Sequence, residues 1–149
     1  MNSLFSSEDT SQLIQRIEQL TTESQAKWGK MNVGQMLAHC STTMEVARDQ
    51  KHIKRLFIGY VLGGFLKKQF YNDAPTKKNS PTHPYFIPTE EVDLTTEKER
   101  LVNHLLAFQA GGVEKCTKQQ HAFFGKLTEE QWAIGMYKHT DHHLQQFGF

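Results

Sequence analysis

Four α-helices joined by one or two long crossovers are the fold that this 149-residue sequence predicts. Three observations support it. Apolar residues recur at helical spacing in four separate segments, and no apolar–polar alternation persists long enough to make a strand. All four prolines, Pro75, Pro81, Pro84 and Pro88, fall between Asn72 and Thr89, which makes that stretch a long proline-rich crossover rather than another helix. The length suits one domain over residues 1–149, able to bury roughly 68–70% of its unfolded surface.

The first helix is expected from about Glu8 to Leu20, with Leu13, Ile17 and Leu20 in register and Ser6 or Ser7 as its cap. The second starts near Asn32, a good N-cap after the turn-like Trp28–Gly29–Lys30, and sets Val33, Met36, Leu37, Cys40, Met44 and Ala47 along one side. This helix, or a continuation after a break near Gln50, is expected to reach about Tyr71. The crossover that follows, at about 20 residues, exceeds the usual loop length, and such loops are often functional. A domain boundary there is the weaker alternative. The third helix is expected over about Thr96 to Ala110, with Leu101, Leu105 and Phe108 inward and Gly111–Gly112 ending it. A second connection closes with His121–Ala122–Phe123–Phe124–Gly125–Lys126. Thr128-x-x-Gln131 then forms a capping box that opens the last helix.

Composition excludes several function classes. Lys plus Arg number 17 against 16 acids, for a net charge of +1, so no global field draws the chain to nucleic acid or an anionic surface. The small clusters Lys51/Lys54/Arg55, Lys67/Lys68 and Lys77/Lys78 read as solvated helix ends and loop. Two cysteines, Cys40 and Cys116, make no disulfide framework, and Met1–Ser6 lacks the basic and apolar regions of a secretory signal. A reducing cytoplasm with free thiols is therefore expected. The longest apolar run, Leu56 to Leu66, has 11 residues where a spanning helix needs about 20. It is expected as a buried helix, with an interfacial helix or subunit contact as the alternatives, and Gly59-x-x-x-Gly63 as a site of close packing.

The chemistry concentrates on histidine. On the last helix, Trp132, Met136, His139, His143 and Gln146 step by 4, 3, 4 and 3, the spacing of an inward seam. His139 and His143 lie one turn apart on that face, so both imidazoles can reach one cation. Two histidines where a seam takes leucine are costly unless a ligand compensates. A third inward imidazole is expected from His39, on the row Asn32, Met36, His39, Thr43 and Val46 of the second helix. Three neutral imidazoles would leave open metal positions, able to acidify a water or to hold a thiol or alcohol. His104, which shares a face with Leu101, Leu105 and Phe108, is a rival or fourth ligand, or a core histidine bonded to a carbonyl. His121 could line the mouth of the site, and His142 is a surface or supporting residue. His52 and His83 are expected exposed, and Cys40 fills core space. His139-Thr-Asp-His-His143 lacks the glutamate of H-E-x-x-H, and there is no P-loop, G-x-G-x-x-G or G-x-S-x-G.

Met36-Leu37-Ala38-His39 together with His139-x-x-x-His143-x-x-Gln146 resembles the DinB/YfiT-like metalloenzyme superfamily. The match is closer to one uncharacterised bacterial branch, through Trp28–Met31, Lys78–Thr82, His121–Gly125 and Asp141–Gly148. Ala122 stands where that branch would have proline, which is expected to loosen the turn without touching the metal. The resemblance implies an up-down-down-up four-helix bundle whose ligands are His39, His139 and His143. It also implies a divalent ion, Zn²⁺ or Ni²⁺ first, with Fe²⁺ or Mn²⁺ also suited to three imidazoles.

Relatives that use low-molecular-weight thiols suggest a metal-dependent transferase, or a hydrolase, acting on a small molecule with such a thiol as cosubstrate. A non-catalytic metal-binding or stress-response module is the second reading. An interaction protein using Leu56–Leu66 and the proline-rich loop is the third. A small-molecule substrate and a homodimer are the expected partners, with neither nucleic acid nor membrane.

Overall fold

Capping chemistry decides where the helices begin. The computed structural model describes every residue from Met1 to Phe149 and contains six α-helices, one short 3-10 turn and no strand. Helix α1 spans Ser7–Glu18, its Asp9 N–H donating to Ser6 Oγ at 3.2 Å. Helix α2, Val33–Ala47, opens with a reciprocal box between Asn32 and Gln35. Helices α3, Phe57–Leu66, and α4, Lys68–Tyr71, follow. Helix α5, Leu94–Lys115, starts slightly earlier than its apolar register predicts because the Asp93 carboxylate accepts from Thr96 N–H at 2.7 Å. Helix α6, Glu129–Gln146, is opened by the expected Thr128–Gln131 box.

Of the two readings of the second segment, the break near Gln50 with helix resuming as far as Tyr71 holds, and one expected boundary, at Gly111–Gly112, is corrected. Helix α2 does not itself run on to Tyr71. It stops at Ala47, whose carbonyl accepts from Thr117 N–H at 2.9 Å, and Asp49 then turns the chain with φ +61°. The Gly111–Gly112 pair interrupts its helix rather than ending it. Gly112 leaves helical geometry at φ 54°, ψ −151°, and a last turn continues to Lys115.

Helix α2 packs against both α5 and α6, α1 also packs against both, and α4 lies on α6. Helix α2 is thus covered on most of its sides. Met36, Leu37, Cys40 and Met44 are buried on it, facing Leu101, Leu105 and Phe108 of α5 and Trp132 and Met136 of α6. Each large apolar side chain so buried contributes about 1.5–3 kcal/mol. His39 is carried into this core by the same helix and has to find polar partners there. The proline-rich stretch is ordered against the helices. It forms a 3-10 turn at Pro84–Phe86, and Lys138 of α6 donates to Asn72 O and Oδ1.

The apolar run is a helix but is not buried. Only Gly59 and Gly63 of α3 are covered, while Phe57 and Phe65 are 84% and 87% exposed. The glycines explain this. Helix α3 lies glycine face down on the backbone of residues 122–123. A Cβ on Gly59 would stand 2.6 Å from the Phe123 carbonyl oxygen, and one on Gly63 would overlap the same atom. The expected close packing is real, and it turns the rest of the helix outward.

Replacing Gly63 by alanine should therefore destabilise the protein by about 1–3 kcal/mol through forced backbone displacement. Gly64→Ala, with open space around the new methyl, should be neutral or stabilise by about 0.4–1 kcal/mol. Equilibrium urea unfolding of the two variants measures both; equal losses would contradict the glycine-face packing.

Candidate metal centre

Three histidines drawn from α2 and α6 converge in the core. The ring centroids of His39, His139 and His143 form a nearly equilateral triangle, 4.9, 4.8 and 4.8 Å on its sides. One ring nitrogen from each lies within 4.8 Å of the others. Nε2 of His39 is 3.0 Å from Nε2 of His139. His39 is 2% exposed and His143 9%, while His139 is half-buried.

The outer nitrogens fix how these rings present themselves. Nδ1 of His39 lies 2.8 Å from the carbonyl oxygen of Phe86. A carbonyl only accepts, so Nδ1 carries the proton and the Nε2 lone pair points inward. His143 is set by a longer chain of the same logic. The carbonyl of Trp28 accepts from the Gln146 amide nitrogen at 2.5 Å. That turns Gln146 Oε1 towards His143 Nδ1, 2.8 Å away. His143 therefore also holds its proton outside and its Nε2 lone pair inside. Gly29 makes the arrangement possible: at φ +84° it brings the turn against Gln146, and a Cβ there would overlap the amide nitrogen.

His139 can donate its own Nε2–H to only one of these two inward lone pairs, at 3.0 Å to His39, whereas a cation between the rings would engage all three nitrogens. Metal-bound histidines characteristically donate their remote N–H to a carbonyl or similar acceptor, and His39 and His143 do so here. Nδ1 of His139 is buried without a partner. The residues present therefore fit a divalent ion with three nitrogen ligands. Electrostatics agrees, because coordination requires neutral imidazole. Burial, reinforced by His39, holds His143 down to about 3. Burial likewise lowers His39, and lowers His139 well below the usual histidine range with help from His143 and His39.

The remaining expected residues divide. Gln146, 3% exposed, is the acceptor behind His143. His142 is half-buried beside the cluster, its ring 5.4 Å from His143 and 5.7 Å from Trp28. His121 sits among Phe70, Phe124 and Trp132, its Nδ1 accepting from the N–H groups of Phe123 and Phe124 at 3.0 and 3.1 Å. Burial, with the Arg55 charge, holds His121 down to about 3. Its turn is closed by backbone hydrogen bonds in both directions with Gly125, so Ala122 leaves it intact.

His104 is not a fourth ligand. Its Nδ1 faces Arg48 at 2.7 Å and its Nε2 lies 3.8 Å from Glu45, in a network that also holds Arg100. It bonds a guanidinium rather than a backbone carbonyl, and burial and Arg48 hold it down to about 4. His83 is half-buried and caps the Pro84–Phe86 turn. Cys40 is fully buried, and burial raises its thiol, so it is core filler and no nucleophile.

Sequence reasoning missed the carbonyls of Phe86 and Trp28, because a backbone acceptor leaves no signature in residue type. A surface cleft of about 360 Å³ lies nearby, lined among others by Trp28, Asn72, Lys78, Tyr137 and His142. None of the three clustered histidines lines it.

A family model described as "Protein of unknown function (DUF1569)" matches residues 3–148. No curated protein and no solved structure matches the chain.

The depressed histidines predict acid lability. Below about pH 6.5 the unfolded chain takes up protons that the folded core refuses until about pH 3. Thermal stability of the metal-free protein should be flat above pH 7 and fall steadily towards pH 5. The lowered carboxylates Glu45 and Glu129 release their contribution only at lower pH. A melting temperature that holds or rises between pH 7 and 5 would contradict neutral burial.

Proposed function

The chain belongs to the DUF1569 family over nearly its whole length, and we propose that it holds one divalent metal ion through Nε2 of His39, His139 and His143 and acts as a metal-dependent enzyme on a small molecule. The observation that supports this reading is the pair of inward lone pairs fixed by Phe86 O and Gln146 Oε1. The likeness to the DinB/YfiT-like superfamily supports the same ligands, a single domain and a four-helix bundle arrangement of α1, α2, α5 and α6. A Zn²⁺ or Ni²⁺ ion there would supply Lewis acidity and stabilise a thiolate or hydroxide at neutral pH.

The chain's own residues supply the rest. His39 and His143 hold their rings in place through Nδ1–H, and the Pro84–Phe86 turn shields His39 from water. A small molecule would have to approach past His139, the least covered of the three residues. The resemblance makes a low-molecular-weight thiol the cosubstrate and group transfer the reaction class, with hydrolysis as the competing outcome. A second reading keeps the ion and drops catalysis. It is favoured by the near-complete burial of His39 and by a cleft that none of the three histidines lines.

Elemental analysis of untagged protein tests the metal. Wild type should carry about one equivalent of Zn²⁺ or Ni²⁺, and His139→Ala should lose it. Gln146→Leu should bind the same ion about 10–100-fold more weakly. Consumption of several low-molecular-weight thiols against an electrophile, with and without added metal, then separates the two readings. Metal-dependent turnover supports the enzyme. Stoichiometric metal with no turnover, and a sharp loss of thermal stability on chelation, supports the braced module. No metal in the wild type would contradict both.

A further inference from the structure

Helix α3 leaves a function unclaimed. Its ten residues, Phe-Ile-Gly-Tyr-Val-Leu-Gly-Gly-Phe-Leu, contain no charged or amide side chain. Phe57, Ile58, Tyr60, Val61, Leu62 and Phe65 are all exposed. At about 100° per residue these positions sweep an arc of roughly 200°, with Val61 at its crest between Phe57 and Phe65. Scattered apolar residues on a surface need no explanation, but a continuous convex ridge of this kind marks an interaction site.

Charge decides what covers it. Residues 50 to 72 include Lys51, Lys54, Arg55, Lys67 and Lys68 and not one acid. Lys51 is taken by Glu45 at 2.7 Å. The other four pair with no carboxylate. Arg55 instead lies over the Tyr60 ring at 4.3 Å, and Lys67 donates to the Lys126 carbonyl. The basic residues thus bracket both ends of the ridge.

A second copy of the chain fits poorly. An antiparallel pair sets Lys54/Arg55 against Lys67/Lys68, a parallel pair sets like on like, and no acid offsets either. A protein groove takes an apolar stripe of a helix and leaves a polar back in water; α3 has no such back of its own. The helix is also only about 15 Å long, half the thickness of a bilayer core, and no helix of the chain is long and apolar enough to cross a membrane.

We infer that α3 lies in the plane of an anionic lipid surface, with its aromatic ridge among the acyl chains and its basic ends at the phosphates. The sequence-level expectation of no membrane contact assumed a buried helix, and that assumption has been corrected. The inference does not depend on the metal reading.

Flotation of the full-length protein with phosphatidylglycerol–phosphatidylcholine vesicles tests it. Binding should be seen with these vesicles and fall about tenfold or more with pure phosphatidylcholine. Phe65→Glu, at an exposed position outside the core and the histidine cluster, should abolish it without lowering the melting temperature. The pair Lys54→Gln/Lys68→Gln should weaken it on the order of tenfold. Phe65→Trp fluorescence should shift to the blue and be quenched by brominated lipid. No flotation of the wild type, or equal flotation of Phe65→Glu, overturns the inference. A dimer seen by light scattering, dissolved by Phe65→Glu and indifferent to vesicles, also overturns it and gives the ridge to a second copy.

Discussion

The constraint on which the rest of the structure depends is the direction of two protons. Phe86 O and Gln146 Oε1 each take the outer N–H of a buried imidazole, which leaves two inner lone pairs facing the third ring. Without an ion the third ring can donate to only one of them, at 3.0 Å to His39; a cation would engage all three nitrogens. Everything nearby serves it. Helix α2 is covered on most of its sides, so His39 is dehydrated and neutral. Helix α6 carries His139 and His143 on the seam that also buries Trp132 and Met136.

The two acceptors come from separate connections. The Pro84–Phe86 turn closes on α2 from one side, and the Trp28–Gly29 turn closes on Gln146 from another. Neither contributes a ligating side chain. Their work is to fix tautomers by presenting carbonyls, and they can do so because proline sets the backbone angle in one turn and glycine frees it in the other. The long crossover is thus tied to the site through the Phe86 carbonyl and ring, and to α6 through Lys138 and Asn72.

Much of this was legible in the residues. The 4-3-4-3 seam predicted which face of α6 points inward, and the N-cap residue Asn32 and the capping box at Thr128 predicted where α2 and α6 begin. The three clustered histidines could be named because helical spacing converts directly into direction. What could not be read came from elsewhere. The carbonyls of Phe86 and Trp28 have no residue-type signal. His104 has the same register as a core residue, and only the network of Glu45 on α2 and Arg48 just beyond its end explains where it goes. Helix α3 misled for a physical reason: apolar content predicts burial, but paired glycines let a helix pack by its backbone and leave its side chains out. The outcome is a surface whose chemistry differs from that of the neutral, mixed-charge remainder.

Long-range ¹H–¹⁵N correlation spectra of the histidine rings, before and after one equivalent of Zn²⁺, read the ring protons themselves. His39 and His143 should carry their proton on Nδ1 in both states, and the Nε2 resonances of all three rings should move when zinc is added. Protons on Nε2 of His39 and His143, with ring nitrogens indifferent to the ion, would contradict this.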